Sequence, residues 1–221
     1  MGSQMEKEEL LKRMEEAVKA YDEEEARRLA EEAIRMGLDP VEALEHGLAK
    51  GLREVGDRFG RGEAFITELI AAAQAMEAGA EILNREIERR GAAREAVGRF
   101  LIGTVEGDIH SIGKNIVATM LKAAGFEVID IGVDVPTQTF VEKVRELKPD
   151  ILGLSALMTT TMMKQKEVIE ALREAGLRDQ VKVIIGGAPV TEEWAREIGA
   201  DAVGLDAASA VEASLKLIGA K

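Results

Sequence analysis

The sequence predicts an N-terminal four-helix bundle followed by a doubly wound parallel sheet of five strands. Three observations predict it. Residues 5–90 are rich in Glu, Arg, Ala and Leu, with apolar residues at helical spacing and no β-branched run. From residue 97 onward, short apolar runs alternate with helical periods. Between the two textures stands Gly91-Ala92-Ala93-Arg94. Buried strands alternating with helices call for a parallel sheet covered on both faces, and right-handed crossovers wind it in two directions. The expected division is a helical bundle over 5–90, a linker over 91–96 and a sheet domain over 97–221.

Each element has its own signal. Leu10, Leu11, Met14, Ala17 and Val18 form the first helical stripe. Ala26, Leu29, Ala30, Ala33 and Ile34 form the second, after Tyr21-Asp22, where Asp22 suits an N-cap. Gly37 ends that helix, and Asp39-Pro40 opens a third with proline at its first position. Leu44, Leu48, Leu52 and Val55 stripe the third helix until Gly60 and Gly62 break it. The fourth runs from about Ala64 to Arg90. The strands are expected at Val97–Thr104, Phe126–Ile131, Ile151–Ser155, Val181–Ile185 and Ala202–Leu205. Helices are expected near Ile112–Ala124, Thr137–Leu147, Thr161–Ala175, Thr191–Ile198 and Ala208–Ile218. Met1–Gln4 resemble a cloning remnant and are set aside.

Composition removes whole classes of function. At 46% apolar and 32% charged, the 221 residues are globular rather than disordered. A net charge of −12 argues against nucleic acid as a partner and against a polybasic membrane anchor. No cysteine is present, which excludes disulfides, thiolate metal sites, iron–sulfur clusters and a cysteine nucleophile. No apolar run is long enough to span a membrane, and the N-terminus lacks the basic and apolar regions of a signal peptide. A cytoplasmic location is expected.

Ligands of doubly wound sheets bind outside the carboxyl ends of the strands, where the winding reverses. The loops after strands 1, 3 and 4 therefore deserve the closest reading. The first holds Asp108 and His110. An imidazole there acts as a base or a metal ligand, and a carboxylate two residues away can hold one ring nitrogen. A loop histidine merely satisfied by its neighbour is the plainer alternative. The other histidine, His46, falls in the third helix as a surface or packing residue. The third strand ends in Ser155-Ala156-Leu157-Met158-Thr159-Thr160-Thr161, whose hydroxyls suit either a polar ligand or a helix cap. The fourth ends in Gly186-Gly187, suited to close backbone approach or to an ordinary turn. The first loop lacks the Gly-x-Gly-x-x-Gly of nicotinamide sites. Ser155 stands where a receiver domain would carry its phosphorylated aspartate.

Together the three loops resemble the cobalamin-binding signature. Asp108-x-His110-x-x-Gly113 is followed after 41 residues (114–154) by Ser155-x-Leu157, and after 28 more (158–185) by Gly186-Gly187. Val55 to Leu69 resembles the helical cap that precedes this domain in cobalamin-dependent methyltransferases, methionine synthase included. Nearly the whole chain is covered, about residues 6–218, and nothing is left for a catalytic barrel. The match is therefore to the small corrinoid proteins serving methanol, methylamine, methylthiol, betaine or aryl methyl ether methyltransferases. Two positions depart from the family: Thr67, often proline, and Ser111, commonly aspartate.

The resemblance implies a flavodoxin-like cobalamin fold, base-off binding and His110 as the lower axial ligand of cobalt. It implies that Asp108 holds the other imidazole nitrogen and that Thr161 extends this relay. Ser155, Leu157, Thr159, Gly186 and Gly187 would line a slot for the nucleotide tail, with Gly113 at its mouth, and Ser111 and Ile112 would also bind the cofactor. Phe59, Ile66 and Leu69 would shield the upper face, or simply pack the bundle. A hinge near residues 91–94 would let them move aside. Implied cofactor states are cob(I)alamin, methylcobalamin and hydroxocobalamin. Cob(I)alamin is four-coordinate, so the histidine would release cobalt and take up a proton beside the carboxylate. The implied protein is a methyl carrier that is not catalytic alone. Its partners would be a substrate-specific methyltransferase, a second methyltransferase passing the methyl group to tetrahydrofolate or a thiol coenzyme, and a reductive activator. Rival readings are a cobalamin-dependent sensor and an adenosylcobalamin mutase subunit.

Overall fold

The computed structural model describes residues 2–90 and 96–219, and the chain divides into two compact units, Met1–Glu95 and Ala96–Lys221. The expected hinge at 91–94 lies outside the described residues, as does the linker up to residue 95. Among the described residues no helix is long and apolar enough to cross a membrane.

The first unit is helical. It comprises α1 (Gly2–Lys19), α2 (Glu23–Arg35), α3 (Pro40–Glu42), a π-helical segment Ala43–Leu48, α4 (Ala49–Gly60) and α5 (Ile66–Arg89). Gly2–Gln4, among the residues set aside as a remnant, begin the first helix. Asp22 caps α2 by accepting the Glu25 N–H at 2.9 Å, and Asp39 caps α3 by accepting that of Val41 at 2.9 Å. The expected third helix is continuous from Pro40 to Gly60, but its middle is widened by the π-helical turns. His46 lies in this segment and is exposed. The α5 helix starts at Ile66, two residues later than expected. Its N-cap Phe65 has no side-chain oxygen, and Glu68 reaches back to accept the Phe65 N–H at 2.6 Å.

Small residues let these helices approach closely. A Cβ on Gly51 would lie 2.6 Å from the carbonyl oxygen of Glu15 in α1, and one on Gly79 would lie 3.0 Å from that of Ala26 in α2. Gly51→Ala gains up to about 1 kcal/mol in helix propensity. It also forces apart two backbones around buried Met14, Val18, Leu52 and Val55. Overpacking of that kind costs about 1–3 kcal/mol, so the variant is expected to be less stable. Urea denaturation checks this, and an unchanged or raised midpoint contradicts it.

The second unit is a five-stranded parallel sheet, ordered β2-β1-β3-β4-β5, with helices between the strands. The strands are β1 (Arg99–Thr104), β2 (Glu127–Asp130), β3 (Ile151–Ser155), β4 (Lys182–Gly186) and β5 (Ala202–Gly204). The helices are α6 (Ile112–Ala123), α7 (Thr137–Leu147), α8 (Thr159–Glu174), α9 (Glu192–Ile198) and α10 (Ala207–Leu217), with a 3-10 turn at Arg178–Gln180. Alternation along the strands divides the core. Leu101, Leu152, Leu154, Val183 and Ile185 pack with Phe140, Val168, Leu172 and Trp194. Phe100, Ile102, Ile151 and Ile184 pack with Leu121, Phe126 and Ala210. The β1 strand begins two residues later than expected, after exposed Val97, and β5 stops before exposed Leu205.

Register then fixes the ligand edge. Thr104 pairs with Ser155, Ser155 with Gly186, and Gly186 with Gly204, so the strand ends form one row across the sheet. The winding reverses between β1 and β3.

Candidate functional site

The loop leaving β1 turns at Gly107 (φ +81°), buries Asp108 and brings His110 to the surface just before α6. Asp108 is 0% exposed, and each carboxylate oxygen has two partners. One oxygen accepts the Leu157 N–H at 2.8 Å and the Thr161 hydroxyl at 2.7 Å, both across the reversal point on the β3 side. The other accepts the His110 N–H at 3.0 Å and meets the ring Nδ1 at 2.7 Å. Burial pushes the carboxyl up. The hydrogen bonds from Thr161, Leu157 and His110 outweigh it and hold the group well below the usual carboxylate range. An ionised carboxylate only accepts, so Nδ1 carries the proton toward it. The neutral ring then keeps its lone pair on Nε2. The side chain of His110 is 48% exposed, so that lone pair sits on an accessible ring.

Thr161 caps a helix, one of the two roles its residue type allowed, and also bonds Asp108. Its hydroxyl donates to Asp108 and also accepts the Met158 N–H at 3.3 Å, at the N-terminus of α8. This cap explains why α8 starts at Thr159 rather than at Thr161. Ser155 and Gly186 are register neighbours, both half-buried. Gly187 has φ +128°, and a Cβ there would stand 1.7 Å from the Ala156 carbonyl oxygen. Its lack of a side chain is thus required first by the protein's own backbone. Gly113 faces open space, Ile112, Leu157 and Thr159 are exposed, and Ser111 precedes α6 without a side-chain capping bond. In the helical unit Phe59 and Ile66 are half-buried and Leu69 is buried.

Several residues near these were not singled out from sequence. Lys114, in the first turn of α6, is buried with its ammonium held by Asn115 at 2.9 Å and by Asp130. Buried Gln165 donates to the carbonyls of Leu154 (3.0 Å) and Gly186 (3.1 Å), pinning the ends of β3 and β4, and accepts the Trp194 indole N–H at 3.1 Å. Asp134, in the loop after β2, accepts the Gly107 N–H at 2.7 Å. In the helical unit the Phe65 ring is 76% exposed. No local pattern signals the first three, since each has a partner distant in the chain.

The site offers one side chain of a metal-ligating type, the His110 imidazole, with an accessible ring nitrogen. Among the described residues no group of three or more His, Cys, Asp or Glu could hold a metal ion. A lone imidazole on a buried carboxylate fits a metal that brings its other ligands with it, as the cobalt of a corrin does. The exposed apolar side chains of Ile109, Ile112 and Leu157 beside it suit a macrocycle's face.

Comparison with known proteins agrees. Residues 98–215 match one B12 binding domain family, and residues 10–84 match a second family of that description. The trimethylamine corrinoid protein of Methanosarcina barkeri is 53% identical over 205 residues, 93% of this chain and 94% of that one. The dimethylamine corrinoid protein of the same organism is 48% identical over 214 residues, 97% of this chain and 100% of that one. Among solved structures, the methanol:cobalamin methyltransferase complex MtaBC of Methanosarcina barkeri superposes with a TM-score of 0.87 at 31% identity. That match covers 96% of this chain and 81% of that one. A novel cobalamin-binding protein from Desulfitobacterium hafniense superposes at 0.72 and 36% identity, over 92% of this chain and 96% of that one. The chain belongs to the B12-binding corrinoid proteins, the methyl-carrying components of methyltransferase systems. Its cofactor is cobalamin.

Proposed function

We propose that this chain is the methyl carrier of a methylamine methyltransferase system, with His110 Nε2 as the lower axial ligand of a base-off corrin. The reading rests on one observation: a buried carboxylate binds His110 Nδ1 at 2.7 Å and leaves the other face of a half-exposed ring free. The trimethylamine and dimethylamine relatives support the choice of donor. When bound, the corrin supplies a cobalt centre that takes up and releases a methyl group. The chain's own residues orient and tune that centre. Asp108 fixes the ring and its tautomer, and Thr161 and the Leu157 N–H fix Asp108. An Nε2 not engaged with a metal would be able to take a proton, and the Asp108 carboxylate at Nδ1 would stabilise the charge.

The row of Ser155 and Gly186, with Leu157, Thr159 and Gly187, receives the nucleotide tail, and Ser111, Ile112 and Gly113 border its entrance. Residues 5–90 form a cap, with Phe59, Ile66 and Leu69 keeping water from the methyl group. Residues 91–96 link it to the cobalamin domain, 97–221. Three partners complete the cycle: a substrate-specific methyltransferase, a second one that transfers to a thiol coenzyme or tetrahydrofolate, and a reductive activator.

An ultraviolet–visible titration of the purified protein with hydroxocobalamin and methylcobalamin tests the axial assignment. The expected spectrum is base-off with histidine ligation, and the ligation is lost in His110→Ala. A corrin that stays bound with the same spectrum in His110→Ala would falsify it. Methyl transfer from trimethylamine, dimethylamine and methanol, each with its own methyltransferase, tests the donor. Uptake from methanol alone removes the methylamine assignment.

A further inference from the structure

We infer that Asp134 is a positioning residue for His110, a clasp that sets the loop carrying the imidazole from the side opposite Asp108. The inference rests on the reading of His110 as the axial ligand. Asp134 lies in the loop between β2 and α7, outside the signature loops. Its carboxylate accepts the Gly107 N–H at 2.7 Å, and its own N–H donates to the Asp108 carbonyl at 2.8 Å. The two bonds grip consecutive residues of the β1 loop, two and three positions before His110. Neighbouring backbone carries the same loop: Val135 N–H donates to the Thr104 carbonyl at 3.0 Å, and Val105 and Val135 form a parallel bridge. The Thr104 hydroxyl in turn donates to the His110 carbonyl at 2.9 Å.

The backbone of Asp134 marks the position as a special one. Its φ is +51°, in the left-handed region, where a side chain with a Cβ is disfavoured and glycine is at ease. Aspartate is among the few residues that tolerate it. If the turn alone mattered, glycine would serve it better. The carboxylate adds a short, charge-assisted bond to the loop that presents the ligand. Asp108 ties that loop to β3 and α8, so the ring is braced from both sides of β1.

Three variants separate positioning from stability. Asp134→Gly relieves the backbone and removes the clasp. Asp134→Asn keeps an accepting oxygen and a tolerated backbone. Asp134→Ala loses the clasp and keeps the strain. The first readout is on the protein without corrin: exchange of the Gly107 amide, and the ¹⁵N signature of the His110 ring. Asp134→Gly and Asp134→Ala are expected to speed Gly107 exchange by about tenfold or more, the worth of one charge-assisted bond. They are also expected to broaden or shift the ring signals, while Asp134→Asn, which keeps an acceptor without the charge, falls between them and wild type. The second readout is the fraction of bound cob(II)alamin whose electron paramagnetic resonance shows axial nitrogen coupling. That fraction is expected to fall in Asp134→Gly even where its urea midpoint matches wild type. Wild-type Gly107 exchange and ring signals in Asp134→Gly overturn the clasp. If wild type itself lacks nitrogen coupling while the Gly107 and ring effects appear, the axial reading fails and the clasp as a brace of the His110 loop stands.

Discussion

Gly187→Ala should collapse the carboxyl edge of the sheet. Two independent costs meet at this position. The backbone sits at φ +128°, where a residue with a Cβ is strained by about 1–3 kcal/mol. The new methyl would also stand 1.7 Å from the Ala156 carbonyl oxygen and 2.6 Å from its carbon. Neither is the movable end of a side chain. Relief requires parting β3 from β4, and that seam is closely held. Ala156 N–H donates to the Gly186 carbonyl at 3.1 Å, and buried Gln165 binds the carbonyls of both strand ends. Overpacking against fixed backbone adds about 3 kcal/mol or more. The sum is a large share of the 5–15 kcal/mol by which a domain is stable. The single tryptophan, Trp194, bonds to Gln165, so its fluorescence in urea reports on this edge. The expected result is a transition at much lower urea, or none from a folded baseline. A midpoint equal to wild type contradicts the argument.

The same glycine shows what was legible in the sequence. Gly-Gly at the end of an apolar run marked a strand end where something comes close to backbone. That the close neighbour is Ala156 depends on the β3–β4 register, which no local pattern contains. Likewise, Ile151–Ser155 was readable as a strand because it is a short apolar run between two helical periods. The widening of the third helix was not readable. One stretch of π-helical turns hardly shifts the period of Leu44, Leu48 and Leu52. Its setting, with Gly47 so close that a Cβ would be 3.0 Å from that of Met14, is tertiary. The site divides in the same way. Asp108 and His110 are two residues apart and announce each other. Thr161 is 53 residues from Asp108, and as a residue type it read equally well as a helix cap. Nothing in the sequence marked Asp134 or Gln165, because only folding brings their partners to them.

Asp108→Ala should be the most damaging side-chain deletion at the site, and its pH dependence should identify the cause. The carboxylate is buried and satisfies four donors: the Leu157 and His110 N–H groups, the Thr161 hydroxyl and the His110 ring. Alanine leaves the buried donors among them without partners, at about 1–3 kcal/mol for each group that water cannot reach. A total loss of about 3–5 kcal/mol is expected. Asp108→Asn keeps the shape but puts an NH₂ where one pair of donors points. Facing the ring, it would deny Nδ1–H its acceptor. Facing Leu157, it would oppose a backbone N–H. A loss of about 2–3 kcal/mol follows in either orientation.

The folded carboxyl titrates below its unfolded value, which is near 3.9. Its contribution to stability is therefore fully present above that value and is lost as pH falls toward the folded one. The gap in urea stability between wild type and Asp108→Asn should narrow as pH falls below about pH 4. A gap that is flat down to pH 3 would mean that Asp108 holds His110 by shape alone. Only an ionised Asp108 accepts from all four donors at once, so the charge that stabilises the sheet edge is also the one that fixes the tautomer of His110.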